Sequence, residues 1–483
     1  MVTTDENSLL PDSMADDKKK SVKRRITYLI GAIILLLGVT ALAVAFFVGR
    51  GPQPEDVLPK DTVAIAKIDL NPKIAQRIDL VRFLSKFPNA VQDFDEEDPV
   101  GSILKQSSLT SGIDWKSIKP WIGNRYAVAV VESAQTLNGV ILLSVNDVAE
   151  MKYFMAKNYP NASYRLIKEF LVIAESKSIL DLIESSPTQL SSNETYKKDM
   201  DSIGGDQIAF IWADLNPLAK FAESFIYDFL YQQGLDPALY STDSTNGRVA
   251  IGMRFTPDSF VTNLVTFGLG TQNSKSETPP QAKEILSQLP VSTLGAVAVE
   301  GIGRAISDTL ASNSAADDTL RSIGISTADI AALLEGPAAF LALEDTSSTS
   351  DPLYVLRLTP RDTSFTVSTL RNVLSRNGLD PSELDSILIA DDKYLYLGVD
   401  RNTIQRAINS AKSNATKLGD SEKFKRSLTE SGSFAAFVDL ERILPLLEVN
   451  TNGAPLGGLG VSIGEDSKDP SVFRTSIVLS LKP

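Results

Sequence analysis

The strongest constraint in this sequence is a run of 23 residues without a charged side chain, from Ile26 to Val48. A helix of that length is about 34 Å long, and the hydrocarbon core of a bilayer is about 30 Å thick. Six Lys and Arg residues stand in the eight positions before the run, whereas only Arg50 follows it closely. The sequence therefore predicts a transmembrane helix at 26–48, a cytoplasmic tail at 1–25 and an extracytoplasmic remainder.

A cleaved secretory signal is the alternative reading of this segment. The stretch from Ala41 to Ala45 contains two overlapping A-x-A patterns, which resemble cleavage sites. The apolar core of a signal peptide is usually only ~7–15 residues long, shorter than the run observed in this chain. The length therefore favours an uncleaved, single-pass signal-anchor in the plasma membrane.

Composition excludes many kinds of chemistry. The 483 residues include no Cys and no His, so disulfides, thiol nucleophiles, the Ser-His-Asp triad and His-ligated metals are all excluded. The net charge of -13 disfavours binding to nucleic acid, which is itself strongly negative. We expect no nucleic-acid partner, no cofactor and no enzymatic activity.

The part of the chain after the anchor contains an approximate internal repeat. Residues 57–69 and 288–300 have similar patterns, as do residues 112–130 and 324–343, and the following predicted strands and helices keep the same order. The repeat predicts a linker at 49–56, a first module at 57–270, a polar linker at 271–288 and a second module at 289–483.

Short turns between the predicted strands indicate an α+β fold with two modules of mainly antiparallel sheet. We expect the helices to pack on one face of each sheet. The sequence leaves open whether the modules form separate sheets or one continuous sheet. The predicted elements include strands at 139–145 and 353–358, a helix at 177–185, and a C-terminal hairpin at 460–481.

Two short motifs resemble nucleophile sites. Gly460–Gly464 matches G-x-S-x-G, but it lies inside a predicted strand, and no His is present to activate Ser462. The matching strand of the first module, 248–252, places Ala250 at the position of the serine. Ser102–Lys105 matches S-x-x-K without the companion motifs of penicillin-recognising enzymes. We therefore predict no catalytic residue.

Several carboxylates stand at the ends of predicted strands. D-L-N-P occurs at Asp69–Pro72 and at Asp214–Pro217, and Asp439 ends a similar strand. The D-L-N-P pattern predicts that Asn71 and Asn216 are helix N-caps, each followed by a proline at the first helical position. A cation site or a carboxylate pair is the functional alternative.

The remaining motifs favour structural roles. The acidic run 93–99 lacks the glycine of a calcium loop, and Gly301-Ile302-Gly303 lacks the third glycine of a dinucleotide fingerprint. We predict no metal site and no cofactor-binding site. Aromatic residues at helical spacings are expected to be core, with an apolar ligand pocket as the alternative; they are Trp115, Trp121, Phe221, Phe225, Tyr227 and Phe229.

Three segments of the first module carry a family resemblance. Residues 58–72 (L-P-K-D-T-V-A-I-A-K-I-D-L-N-P), 82–89 (R-F-L-S-K-F-P-N) and 115–130 (W-K-S-I-K-P-W-I-G-N-R-Y-A-V-A-V) resemble a bacterial family called domain of unknown function 3352. The resemblance covers most of residues 57–483. It implies a single-pass protein of the bacterial cell envelope, and it supplies no activity, cofactor or catalytic residue.

Three functional hypotheses follow. The leading one is a non-enzymatic envelope protein that binds an unknown protein or ligand, or scaffolds an assembly, outside the plasma membrane. The second is a carrier module for a lipid or metabolite. The third is a carboxylate-dependent enzyme such as a glycosidase, because paired Asp and Glu residues need no His.

Overall fold

Sixteen antiparallel strands form one continuous sheet in the computed structural model of this chain. The structure describes residues 52–70, 74–87, 115–134, 136–218, 247–268, 281–303, 306, 321–322, 324–344, 352–378, 380–412, 416–449, 453–466, 469 and 471–483. Helices pack against this sheet. The predicted combination of antiparallel sheet and helices is confirmed, and the question of one sheet or two is answered in favour of one.

Eight strands come from each half of the chain. Those of the first half are β1 (Thr62–Asp69), β2 (Ile122–Ser133), β3 (Thr136–Val145), β4 (Tyr164–Ile167), β5 (Phe170–Ala174), β6 (Ala209–Asp214), β7 (Arg248–Thr256) and β8 (Ser259–Phe267). Those of the second half are β9 (Thr293–Val299), β10 (Ala338–Leu343), β11 (Leu353–Leu358), β12 (Leu388–Ala390), β13 (Leu395–Gly398), β14 (Phe434–Asp439), β15 (Leu456–Glu465) and β16 (Val472–Leu481).

The helices lie mainly between these strands. The α-helices are α1 (Ile74–Leu84), α2 (Trp115–Ile118), α3 (Val148–Asn158), α4 (Lys177–Ser185), α5 (Glu194–Ser202), α6 (Ala282–Ser287), α7 (Thr327–Leu333), α8 (Thr363–Arg376), α9 (Leu384–Ile387), α10 (Arg401–Lys412), α11 (Glu422–Ser427) and α12 (Leu440–Leu446). Short 3-10 helices occupy Pro54–Asp56, Leu190–Ser192, Pro381–Glu383 and Leu418–Asp420.

Strand order is the same in the two halves of the sheet. From its outer edge inward, the first half reads β4-β5-β3-β2-β1-β6-β7-β8, and the second reads β12-β13-β11-β10-β9-β14-β15-β16. The halves meet where β8 pairs with β16, from Phe267 opposite Val472 to Ser259 opposite Ser480. The sheet thus has an approximate two-fold axis at the middle of this pairing, where Asn263 faces Ser476.

Short local patterns predicted the elements well. The helix expected at 177–185 and the strand expected at 353–358 have those bounds in the structure. The stretch 164–174 forms two strands, and Lys168 adopts a positive φ of 55° in the turn between them. The apolar periodicity within each element and the turn-forming residues at its ends were sufficient to predict these bounds, because both signals are local.

Helices pack on both faces of the sheet, so the expectation of one face was wrong. Phe170 and Val172 of β5 pack in one cluster with α4, whereas Leu171, between them, packs with α3. Successive side chains of a strand point to opposite faces. We call the face with Ile65, Phe170 and Val172 face A, and the face with Leu171 face B. Because the strands are apolar on both sides, both faces can hold helices.

The described part of the chain begins close to the predicted membrane segment. Residues 26–48 and the tail lie outside the described residues, and no helix among those described is long and apolar enough to cross a membrane. Pro54–Asp56, inside the predicted linker 49–56, forms a 3-10 helix, and Pro54 is buried. The carbonyl of Pro52 accepts a hydrogen bond from Arg125 Nη1 at 3.1 Å. This segment is therefore attached to the sheet.

One ion-pair cluster joins the two halves. Asp258, in the turn between β7 and β8, contacts Lys86 after α1, and its Oδ2 lies 3.4 Å from Arg426 Nη1 in α11. The hydrogen bond from Lys86, followed by the charge of Arg426, lowers the pKa of Asp258 below its ordinary value.

We expect Asp258→Asn to reduce the free energy of unfolding at pH 7 by at most ~1 kcal/mol, because this group is partly exposed. A carboxylate with a lowered pKa stabilises the fold above its unfolded-state pKa, near 4, and loses that contribution as the pH falls through its lower folded-state value. The difference between variant and parent should therefore vanish in acid. Denaturant unfolding of the full chain in detergent across a pH series measures it, and the exposed Asp201→Asn is the control. A difference that stays constant down to acid pH would contradict this assignment.

Candidate functional site

Face B carries two adjacent rows of side chains that cross the whole sheet without a formal charge. The pairing register places one residue of each strand in each row. The first row reads Tyr164, Ile173, Ile141, Val128, Ala66, Ile211, Ile251, Leu264, Thr475, Ile463, Phe434, Val299, Ala338, Leu358, Leu395 and Ala390. The second reads Leu166, Leu171, Leu143, Tyr126, Ile68, Ala209, Met253, Thr262, Ile477, Val461, Ala436, Val297, Phe340, Leu356, Leu397 and Leu388.

The outer parts of these rows are covered by helices. Met151 and Met155 of α3 pack over the first half, and Leu370 and Leu374 of α8 pack over the second. A third cluster, with Phe83 of α1 and Leu444 of α12, covers one end of the central strands. These three clusters show that face B is built to contact apolar surfaces.

Between these covered regions, large apolar side chains are exposed. Among the described residues, the exposed large apolar side chains of the strands all point to face B; they are Ile68, Val128, Ile141, Ile211, Phe340, Tyr354 and Ile477. Val128 is the most exposed of them, at 55%. The rings of Phe340 and Tyr354 stack on each other with centroids 6.0 Å apart. We call these seven residues the open patch.

The sequence of the central strands contains a signal for the open patch. A half-solvated antiparallel strand normally alternates apolar and polar residues. The run Tyr126–Val131 (Y-A-V-A-V-V) is apolar at both its odd and its even positions, and so is most of Val63–Ile68. Such runs predict strands with an apolar contact on each face, although they do not show which segment or molecule provides the contact.

The strand-end carboxylates serve as caps and ion-pair partners. Asp439 is the N-cap of α12 and accepts from the backbone N–H of Arg442; its carboxylate lies 2.8 Å from Lys423 Nζ and 2.9 Å from Arg442 Nε. Asp69 lies 3.6 Å from Arg125 Nε and is largely buried. These positions are already neutralised by cations, which weakens the carboxylate-enzyme hypothesis.

The predicted capping role of Asn216 was wrong. The helical turn at 215–218 begins directly after β6, so Asp214 stands at the cap and its Oδ1 accepts from the backbone N–H of Asn216 at 3.1 Å. Because no residue separates strand from helix, the last strand residue provides the cap. Asn71 and Pro72 lie outside the described residues.

The G-x-S-x-G motif is a packing motif in this chain. Ser462 lies in the middle of β15 and is only 4% exposed. A Cβ on Gly460 would lie 2.0 Å from the carbonyl oxygen of Ser427, at the end of α11. The glycine therefore allows the backbone after α11 to approach the sheet. Strand pairing also changes the alignment of the two halves. Asp214 faces Arg248 in the first half and Asp439 faces Gly458 in the second, so Ser462 corresponds to Gly252 and not to Ala250.

Gly301 and Gly303 also have structural explanations. Gly301 adopts a positive φ of 74°, and a Cβ on Gly303 would lie 2.6 Å from the carbonyl oxygen of Leu334. Trp121 is buried in the face-B cluster with α3, as expected for a core residue. The motifs at 93–99 and 102–105, and Phe221, Phe225, Tyr227 and Phe229, lie outside the described residues.

A buried ionic cluster lies on face A of the first half. Asp199 is fully buried; its carboxylate accepts from Trp212 Nε1 at 3.0 Å and from Arg248 Nε at 2.6 Å. Burial, and then the charges of Glu55 and Asp56, raise the pKa of the neighbouring Tyr196. The Asp199 carboxylate is therefore paired with a cation and a ring N–H, which gives it a structural role. Among the described residues, no group of three or more Asp or Glu residues could hold a metal ion.

No protein-family model, curated protein sequence or solved structure matches this chain.

We expect Gly460→Ala to destabilise the protein by about 2–3 kcal/mol or more, because the new methyl group would overlap a backbone carbonyl that cannot move freely. Gly139→Ala in β3 is the matched control, since a Cβ there has no neighbour within 4 Å. Thermal unfolding of both variants in detergent compares them. Equal melting temperatures would contradict the packing role of Gly460.

Proposed function

We propose that this chain is a non-enzymatic, membrane-anchored protein of the bacterial envelope, and that the open patch on face B binds its partner. In this proposal residues 26–48 cross the plasma membrane, and residues 57–270 and 289–483 are two tandem modules of a duplicated unit. The resemblance to the family of unknown function 3352 agrees with that location. The partner is an envelope protein with a complementary apolar surface.

The observation that carries the proposal is the pair of uncharged rows on face B. Exposed apolar area in a contiguous patch is costly in water and is typical of interaction surfaces. The chain as a whole is strongly acidic, with a net charge of -13, yet neither row contains Asp, Glu, Lys or Arg. The concentration of apolar side chains on this face supports binding by burial of apolar surface.

The repeated strand order supports the proposal of two modules. Each half has the same order of eight strands and joins the other through one strand pair, β8–β16. A duplicated unit that pairs edge to edge in this way makes a long, continuous surface. Such a surface suits a scaffold better than a small, enclosed active site.

A lipid or metabolite carrier is the second candidate, and the same patch favours it. Exposed Ile, Val and aromatic side chains would also accept an acyl chain. The two candidates differ in the size and chemistry of what the patch contacts, so one experiment separates them.

The test places a photo-crosslinking amino acid at Val128 in the full chain and irradiates intact bacteria. We expect a covalent adduct of protein size, identified by mass spectrometry. An adduct of lipid mass would favour the carrier. The absence of any adduct at Val128, with the protein correctly inserted in the membrane, would contradict both.

The matched control is the same crosslinker at Leu182, which lies on α4 over face A and is 36% exposed. Ile211→Lys in the Val128 background should reduce the adduct at least several-fold, because it places a charge in the apolar interface two strands from Val128. Leu182→Lys in the same background should leave the adduct unchanged. An equal reduction by both lysine variants would show that the adduct does not depend on the patch.

A further inference from the structure

Helix α1 forms a rim along one end of the central strands. The side-chain amide of Gln76 donates to the carbonyl of Phe255 at 2.9 Å and accepts from its backbone N–H at 3.0 Å. Lys86, just after the helix, pairs with Asp258 in the turn from β7 to β8. Asp69 and this turn lie at the same end of the strands, which we call the Asp69 end.

The inner side of α1 is core, and its outer side is apolar as well. Leu80 and Phe83 are almost completely buried. Ile78 and Val81 are 45% and 50% exposed, and their spacing of three residues places them on one side of the helix. Arg82, next to Val81, is exposed too. Two exposed apolar side chains beside a basic residue match, on a small scale, the pattern of helices that lie at a membrane surface.

The rim is more basic than the rest of the chain after the predicted span, taken together. The stretch 75–87 contains Arg77, Arg82 and Lys86 but only one acidic residue, Asp79, in a chain whose net charge is -13. The local excess of two positive charges in this stretch reduces the repulsion between the acidic protein and anionic lipid.

The first described residues, which begin at Pro52, also lie at the Asp69 end of the strands. The side chain of Arg125 donates a hydrogen bond to the carbonyl of Pro52, and Arg125 of β2 is the pairing partner of Asp69, the last residue of β1. Lys67 Nζ lies 3.0 Å from Glu55 and 2.6 Å from the side-chain oxygen of Gln53, which attaches the same segment to β1. The predicted span ends at Val48, so three residues separate it from Pro52. An extended chain of that length reaches about 14 Å at most.

We propose that the α1 rim rests on the lipid surface, with Ile78 and Val81 in the headgroup region and Arg82 beside the lipid phosphates. The short tether brings the Asp69 end close to the bilayer and leaves the opposite strand ends farthest from it. The inference rests on the membrane anchor proposed above. Its consequence is a sheet that stands upright, with the open patch facing sideways along the membrane surface.

The test uses the absence of cysteine, which makes any introduced cysteine the sole thiol. Val81→Cys and Ile78→Cys in the full chain receive an environment-sensitive fluorophore, and the protein is placed in nanodiscs of phosphatidylcholine and phosphatidylglycerol. We expect blue-shifted emission and quenching by spin-labelled lipid at least two-fold stronger than at the control. The control is Phe365→Cys, 54% exposed and therefore similar to Val81.

Phe365 suits this comparison because α8 begins beyond Leu358. The pairing register places Leu358 at the same end of the sheet as Val299 and Phe434. Asp439, at the other end of β14 from Phe434, lies at the Asp69 end. Leu358 is therefore at the end opposite the rim. Equal, water-like emission at all three positions would overturn the rim proposal.

A separate measurement tests the anchor. The full chain should float with vesicles after alkaline extraction. Loss of flotation would contradict the proposed membrane span, whereas flotation without lipid quenching at Val81 would contradict only the rim contact.

Discussion

The pairing of β8 with β16 is the interaction on which the rest of the structure depends. Nine residue pairs, from Phe267–Val472 to Ser259–Ser480, join two half-sheets of the same strand order. Without this pairing, each half would expose the unpaired N–H and C=O groups of a long strand. With it, the remaining sheet edges are the short strands β4 and β12. Asp258, Lys86 and Arg426 reinforce this junction at one end of the strands.

The joined sheet extends two uncharged rows of side chains across sixteen strands. Helices cover the outer parts of face B, and the central part keeps the open patch. An exposed apolar surface of this kind is unfavourable in water and is typical of an interaction site. The carboxylates and the serine motif have structural roles, so the patch is the best candidate for function.

Sequence reasoning succeeded where short-range patterns decide the structure. The helix at 177–185 and the strand at 353–358 needed only apolar periodicity and local turn signals. It failed for the side of the sheet on which helices pack and for the cap at Asp214. The cap depends on which residue ends the strand and precedes the helix. The faces on which helices pack depend on tertiary contacts, because a strand that is apolar on both sides does not specify which helix covers each face.

Local sequence patterns specified most of the elements and their repeated order, composition excluded His and Cys chemistry, and the anchor at 26–48 stays a prediction. Only the tertiary structure decided that the halves form one sheet, that Gly460 admits a backbone carbonyl, and that the exposed apolar residues share one face. The physical reason is that strand pairing is a long-range interaction. Residues 263 and 476, more than two hundred positions apart, meet through backbone hydrogen bonds whose partners no local pattern specifies.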